Sequence, residues 1–378
     1  AGRMRTHLRT FVVLAATAAL VALFLRNANL AEVWREVRAA NPWLLLAAVA
    51  IQGPTHLARA WRGQALLQPV GPVALVPAVR ATVIGFAANA LLPARAGEFL
   101  RPYLLARREG ISATAAFATI ILERFFDLAI VVLFFGAFVV LADHRTLAAD
   151  ARLFDAVETA GILAAIVAVA VLVAFAVLAG HPERLGRVTG RLTRALPDRL
   201  GRALSKAARL FAEGLAAMRR PALVVRAFAL SIPLWLSIAC GIWLVARAFH
   251  ITIPFSGTFL IVALLTVGVA VPTPGGVGGF HYAFRLGVTV FYGVANERAV
   301  GAAIVLHAVS FLPVAALGLL FMAQDGLSLG RLKQMAQQPD ADLTAASDGD
   351  RPAAQPGPLA PRRATPLAED AADQGTAL

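Results

Sequence analysis

Six ionisable residues carry most of the chemistry this sequence could perform: Arg95, Glu98 and Arg101, then Glu123, Arg124 and Asp127 inside an apolar run. Glu123 and Asp127 stand four residues apart, so a helix over that run presents both carboxylates on one face. They lie too deep in the run for short side chains to reach water, and charge inside a membrane protein is costly unless it is paired or used. Arg95, Arg101 and Arg124 are the cations at hand, and three arginines with three acids make a neutral set. Two readings stay open. The network staples two elements together, or one or two arginines exchange a carboxylate for a lipid phosphate, which a guanidinium grips through two parallel bonds. Arg95 and Arg101, next to the helix-breaking Pro93, are better placed to receive a ligand; Arg124, flanked by Glu123 and Asp127, is the better permanent partner.

A second candidate is backbone. Thr273-Pro274-Gly275-Gly276-Val277-Gly278-Gly279 can turn several N–H groups toward one anion, or serve as a tight bend that lets helices approach. His281, Tyr282 and Arg285 follow it, and His307 lies in the last apolar run, where a histidine is more often packed than ligating. Gly275, Gly276, Gly278 and His281 therefore join the charged six as candidate substrate-binding residues. Catalytic, metal and cofactor signatures are missing: there is no Walker A loop, no H-E-x-x-H, no nucleophile elbow and no aspartate-rich spacing for magnesium. The lone Cys240 excludes an internal disulfide and a cysteine metal cage. The expectation is no metal, no cofactor and no autonomous catalysis.

The elements that must position these residues are membrane helices. Hydrophobic residues make up 59% of the chain, charged residues 15%, and the mean hydropathy is +0.71, too apolar for a soluble domain of 378 residues. Apolar runs near 11–25, 43–60, 115–141, 161–179, 222–246 and 300–322 approach the roughly 20 residues a span needs. Of these, 43–60 returns to the cytoplasmic side near Arg59 and Arg62. The net charge of +13 does not point to nucleic acid. Ten Lys/Arg fall between His181 and Arg220, wedged between two spans, which is the positive-inside pattern and reads in part as a cationic amphipathic helix on an anionic leaflet. Placing that loop in the cytoplasm requires 73–105 to be a re-entrant hairpin, with the acid-leaning 142–160 outside. The Gly/Pro break after 271 marks a second hairpin over 255–294. The expected fold is all-α and polytopic: about six full spans and two hairpins in a transmembrane domain over 1–330, with both termini cytoplasmic in an inner membrane. Residues 331–378, rich in Pro, Ala and Asp without periodicity, read as a disordered tail.

Pro93-x-x-x-Gly97-x-Phe99 repeats as Pro274-x-x-x-Gly278-x-Phe280, with an odd number of spans between, which suggests an inverted repeat. The run Asn89-Ala-Leu-Leu-Pro93-Ala-Arg95-Ala-Gly97-Glu98-Phe-Leu-Arg101, followed by Gly110-Ile-Ser112 and Glu123-Arg124-Phe-Phe-Asp127, resembles the lysylphosphatidylglycerol synthase transmembrane-region family. That family includes the flippase half of the bacterial multiple peptide resistance factor. Thr273 to Phe280 is similar to its second signature, and the likeness covers roughly 10–325. The resemblance implies a membrane domain that moves lipids between leaflets, here a stand-alone member without the aminoacyltransferase domain. The leading expectation is a flippase or scramblase for a phospholipid or lipid-linked substrate with an anionic or phosphate-bearing headgroup. The alternatives are an accessory subunit or enzyme of lipid or glycolipid biosynthesis working with a separate transferase, and a small-solute transporter.

Overall fold

A computed structural model of the chain describes residues 17–91, 97–111, 113–142, 220–270 and 273–327, with Ala15 and isolated positions between 155 and 205. Arg95, Pro93, most of 142–179, most of the basic loop 181–220 and the tail after 327 lie outside the described residues. Within them every regular element is helical. After a helical stretch over 17–25 come α1 (Leu30–Ala39), α2 (Pro42–Ala50), α3 (Gln52–Leu67), α4 (Leu75–Leu91), α5 (Gly97–Glu109) and α6 (Ala113–Leu141). Then follow α7 (Pro221–Ala248), α8 (Gly257–Gly268), a 3-10 turn at Pro274–Gly276, α9 (Gly279–Tyr292) and α10 (Asn296–Gln324).

Three of these helices are long and apolar enough to cross a bilayer: Thr119–Leu141 in α6, α7 and α10, with hydropathies of 2.3, 2.0 and 2.3. Only 22–39% of each apolar window is buried in the protein, and Val140, Val267 and Leu312 point outward almost bare. Such surface has only lipid as a compatible solvent. The chain is a helical membrane protein. The stretch read as one span over 43–60 is instead two helices that meet at Ile51, and the second runs on to Leu67. Pro54 has no N–H to give to the turn before it, so the hydrogen-bond ladder is interrupted there.

The two segments around the Pro/Gly breaks fold back on themselves. Gly85 faces both Gly97 and Arg101, and Asn89 faces Gly97, so α4 and α5 run antiparallel. The backbones touch: a Cβ on Gly97 would overlap the Gly85 carbonyl. The second pair is built the same way, with Gly279 against the Gly268 carbonyl and Gly287 against Ile261 and Leu264, so α8 and α9 are antiparallel too. The two tips meet where Gly275 abuts the backbone of Ala90. Helix α10 lies along α4, its Gly318 seated on Val83 and Ala87. At the far end of that contact, Asp325 is held by Arg80 of α4 (2.8 Å) and Arg108 of α5, and Arg80 also lies over Phe321.

A helix pair whose backbones touch has no room for one more carbon. Gly97→Ala should therefore part α4 from α5 and lower stability by more than the roughly 1–3 kcal/mol of ordinary overpacking. Gly136→Ala, where nothing lies within 4 Å, should be neutral. Thermal unfolding of both variants in detergent checks this, and equal stability would mean the pair is looser than described.

Candidate functional site

The charged cluster is assembled by α3, α5, α6 and α7. Arg62 of α3 is wholly buried; its Nη1 donates to Asp127 Oδ1 at 2.6 Å and to Ser231 Oγ at 2.9 Å, and its Nη2 reaches Glu123 Oε2 at 3.4 Å. Arg101 of α5 grips Glu123 with both terminal nitrogens, at 2.7 and 2.9 Å. The Trp235 indole donates to Asp127 Oδ1 at 2.9 Å. The other oxygen, Asp127 Oδ2, is treated differently. Arg124 stands 3.6 Å from it and Arg59 3.8 Å, and it accepts no hydrogen bond among the described residues. Gly63 makes the closest packing possible here, since a Cβ at that position would run into the Arg101 guanidinium and press on Glu123.

Structure and sequence expectation meet over Arg101, Glu123, Arg124 and Asp127, which the fold brings together. Arg101 is fixed in a fork on one carboxylate, while Arg124 is 44% exposed and only loosely held, the reverse of the roles expected from their local settings. Glu98 is half-buried on the wall of a cavity of about 60 Å³ that it shares with Arg101 and Arg124. Arg95 lies outside the described residues. Gly275 and Gly276 line the main cavity described below, whereas Gly278 and His281 are absent from its walls and pack toward Leu20 and Phe24.

Two residues assigned to a span end are in fact central. Arg59 and Arg62 were expected where the second span meets cytoplasm, yet both are buried. Helix α3 carries His56, Arg59 and Arg62 at three-residue spacing and no acid of its own, so these cations depend on carboxylates from α6. That spacing without a local acid is a signal the sequence does contain.

Arg59 faces a cavity of about 240 Å³ between the hairpin tips, lined also by Phe86, Asn89, Thr273, Gly275 and Phe280. A second cavity of about 160 Å³ shares Arg59, Phe86 and Phe280 with it and adds His56 and Ser310. Either volume greatly exceeds the about 10–15 Å³ that one water requires. Among the described residues no carboxylate lines either cavity. Phe86 packs against α3, with the Arg59 guanidinium 4.9 Å from its ring and the His56 ring edge-on at 5.0 Å. Arg59 Nε, both ring nitrogens of His56, Asn89 Oδ1 and Thr273 Oγ1 are buried without a hydrogen-bond partner among the described residues. Buried polar groups left like this are rare and mark a place where a ligand or water belongs. Among the described residues, no group of three or more His, Cys, Asp or Glu is placed to hold a metal ion.

Fold and site define a helical membrane protein whose core is an arginine–carboxylate network beside a cation-lined, ligand-sized cavity. The chain belongs to the lysylphosphatidylglycerol synthase TM region family, whose model matches residues 10–318. Comparison with curated proteins finds no match.

Removing one partner of a buried ion pair strands the other, at a cost of about 3–5 kcal/mol. Arg62→Met should do this to Asp127 and Glu123 and deplete folded protein, and adding Asp127→Leu should restore part of the loss. Unfolding midpoints of the single and double variants in detergent test it. A single variant of parental stability would mean that water reaches the cluster.

Proposed function

We propose that this protein moves a phospholipid or lipid-linked substrate between the leaflets of a bacterial-type cytoplasmic membrane, with both termini on the cytoplasmic side. One observation carries the reading: Arg59, buried and with its Nε lacking a hydrogen-bond partner among the described residues, faces a cavity between two helical hairpins. An arginine in that position is a poised receptor for an oxyanion. Its counter-charge, Asp127 Oδ2, stands 3.8 Å away, close enough to offset the charge and too far to occupy the donors. A phosphate offers several strong acceptor oxygens, and the Arg59 guanidinium and His56 ring of α3 and the Thr273 hydroxyl before the 3-10 turn supply donors from two segments. The rest of the wall is aliphatic and aromatic, with Ile238, Val262 and Leu265 among it, which suits an amphiphile more than a free ion.

The roles divide accordingly. Arg62, Arg101, Glu123 and Trp235 are the fixed frame; Arg59 is the exchanging cation; Gly275 and Gly276 bring backbone to the cavity. The two hairpins, each closed by a glycine-on-backbone contact and meeting at their tips, suit an inverted pair that receives its substrate between them. The family's association with lipid-flipping membrane domains agrees with this.

The test is a liposome assay with fluorescent lipids, following dithionite-accessible signal and corrected for folded protein. Arg59→Gln should slow movement of an anionic lipid at least about tenfold, the worth of one charge-assisted bond of roughly 1.5–3 kcal/mol. Arg59→Lys should recover only part, because lysine keeps the charge and loses the fork. Parental rates in both variants, or no lipid movement by the parent protein, would reject the reading.

A further inference from the structure

Two histidines that line neither Arg59's main cavity nor the charged cluster hold the second hairpin at both ends of its turn. Gly275, Gly276 and Gly278 all have positive φ, at +59°, +70° and +89°, a conformation glycine adopts without strain. A turn made this way has few side chains of its own to anchor it. Its anchors come from α9 and α10. His307 Nε2 lies 2.9 Å from the Gly275 carbonyl oxygen, and His281 Nδ1 accepts the Gly278 N–H at 3.4 Å. The two imidazole rings are 4.5 Å apart; Phe311 stacks on His307 at 4.4 Å and Phe24 packs on His281 at 5.0 Å.

The partners decide where the protons sit. A carbonyl oxygen only accepts, so His307 Nε2 carries its hydrogen. A backbone N–H only donates, so His281 Nδ1 is bare and that ring is neutral, with its hydrogen on Nε2. A proton taken up by His281 therefore goes to Nδ1, the atom that caps α9, and turns an acceptor into a donor facing a donor. It also sets a positive charge at a helix N-terminus, where the dipole already opposes it. The surroundings offer no compensation. The helical stretch 17–25 and α8 hold no ionisable residue. In α9, Arg285 is spent on the Leu23 and Phe24 carbonyls, and the α10 face contributes His307. On the cavity side, which Phe280 shares, the charged group is Arg59. Arg59, Arg285 and His307 are cationic or can become so; Tyr282, next to His281 in α9, is a phenol, and no carboxylate is among the groups named.

We infer that the His281–His307 pair is a proton-binding site that latches the second hairpin: one proton on His281 Nδ1 breaks the Gly278 bond and frees the Gly275–Gly278 turn from Ala90. Gly275 and Gly276 form part of the wall of Arg59's cavity, so unlatching changes the passage itself. That the proton drives or gates lipid movement rests on the function proposed above; the latch does not.

The experiment places a spin label at Val277→Cys in a Cys240→Ser background, in the full chain reconstituted in nanodiscs of zwitterionic lipid. Its mobility is read between pH 8 and about pH 3.5, a range carried below the ordinary histidine one because the surroundings just described oppose the charge. The mobile fraction should rise at least about twofold as pH falls. His281→Gln should abolish the transition and stay immobile, because a glutamine at this third helical position can still accept the capping bond and takes up no proton. His281→Phe, which has no acceptor, should be mobile at both pH values. A pH-insensitive parent, or a transition unchanged in His281→Gln, overturns the proposal, and the glutamine comparison suffices if the phenylalanine variant does not fold. Lipid movement measured on the same samples separates the two ideas. A mobile latch in a protein that moves no lipid removes the transport reading alone, and lipid movement with a silent latch removes this one alone.

Discussion

A guanidinium with no access to solvent organises this protein. Arg62 has zero exposure, and its charge is tolerable only because Asp127, Glu123 and Ser231 surround it from two other helices. Helices α3, α6 and α7 are thereby fixed in relation to each other. Glu123 hands the constraint on to α5 through Arg101, and with it to the first hairpin. In lipid, helices gain little by burying apolar side chains against each other, so hydrogen-bonded polar groups and close small-residue contacts set the arrangement. Both are found here: the ionic core, and the glycine contacts that close each hairpin.

Stability and availability are separated within that core by distance alone. Asp127 Oδ1 takes two short hydrogen bonds, while among the described residues Oδ2 has two cations at 3.6 and 3.8 Å. On the proposed function, a carboxylate half committed in this way would keep the frame rigid while its looser partner turns to a ligand. With Arg59 one helical turn from Arg62, α3 could serve both purposes without moving.

The sequence carried much of the architecture and about half of the site. Glu123 and Asp127 stood out because carboxylates in an apolar helix demand partners, and the Pro/Gly breaks announced backbone that folds back. Arg59 and Arg62 were hidden by their position: basic residues after an apolar run look like the end of a span, and only the bend at Ile51–Pro54 and the length of α3 make them internal. The contrast between Arg101 and Arg124 was equally illegible, since it depends on Gly63 leaving space for one fork and on which face of α6 meets α5. His56 was legible only through its three-residue spacing with Arg59 and Arg62; its contact with Phe86, thirty residues away in the chain, was not.

Phe86 borders the three cavities described and lies against both a cation and an imidazole of α3. A route polar enough for a headgroup is also, by default, a route for protons and small ions, and a leak would discharge the membrane. Apolar constrictions resist this by drying out, since water and hydrated ions gain nothing from a phenyl surface. With Phe280 and Leu265 near it on the cavity wall, Phe86 would give the proposed passage an insulating waist. An amphiphile brings its own hydrocarbon to wet that surface and an ion does not, so on the proposed function the ring that lies against Arg59 would also keep the bilayer electrically sealed.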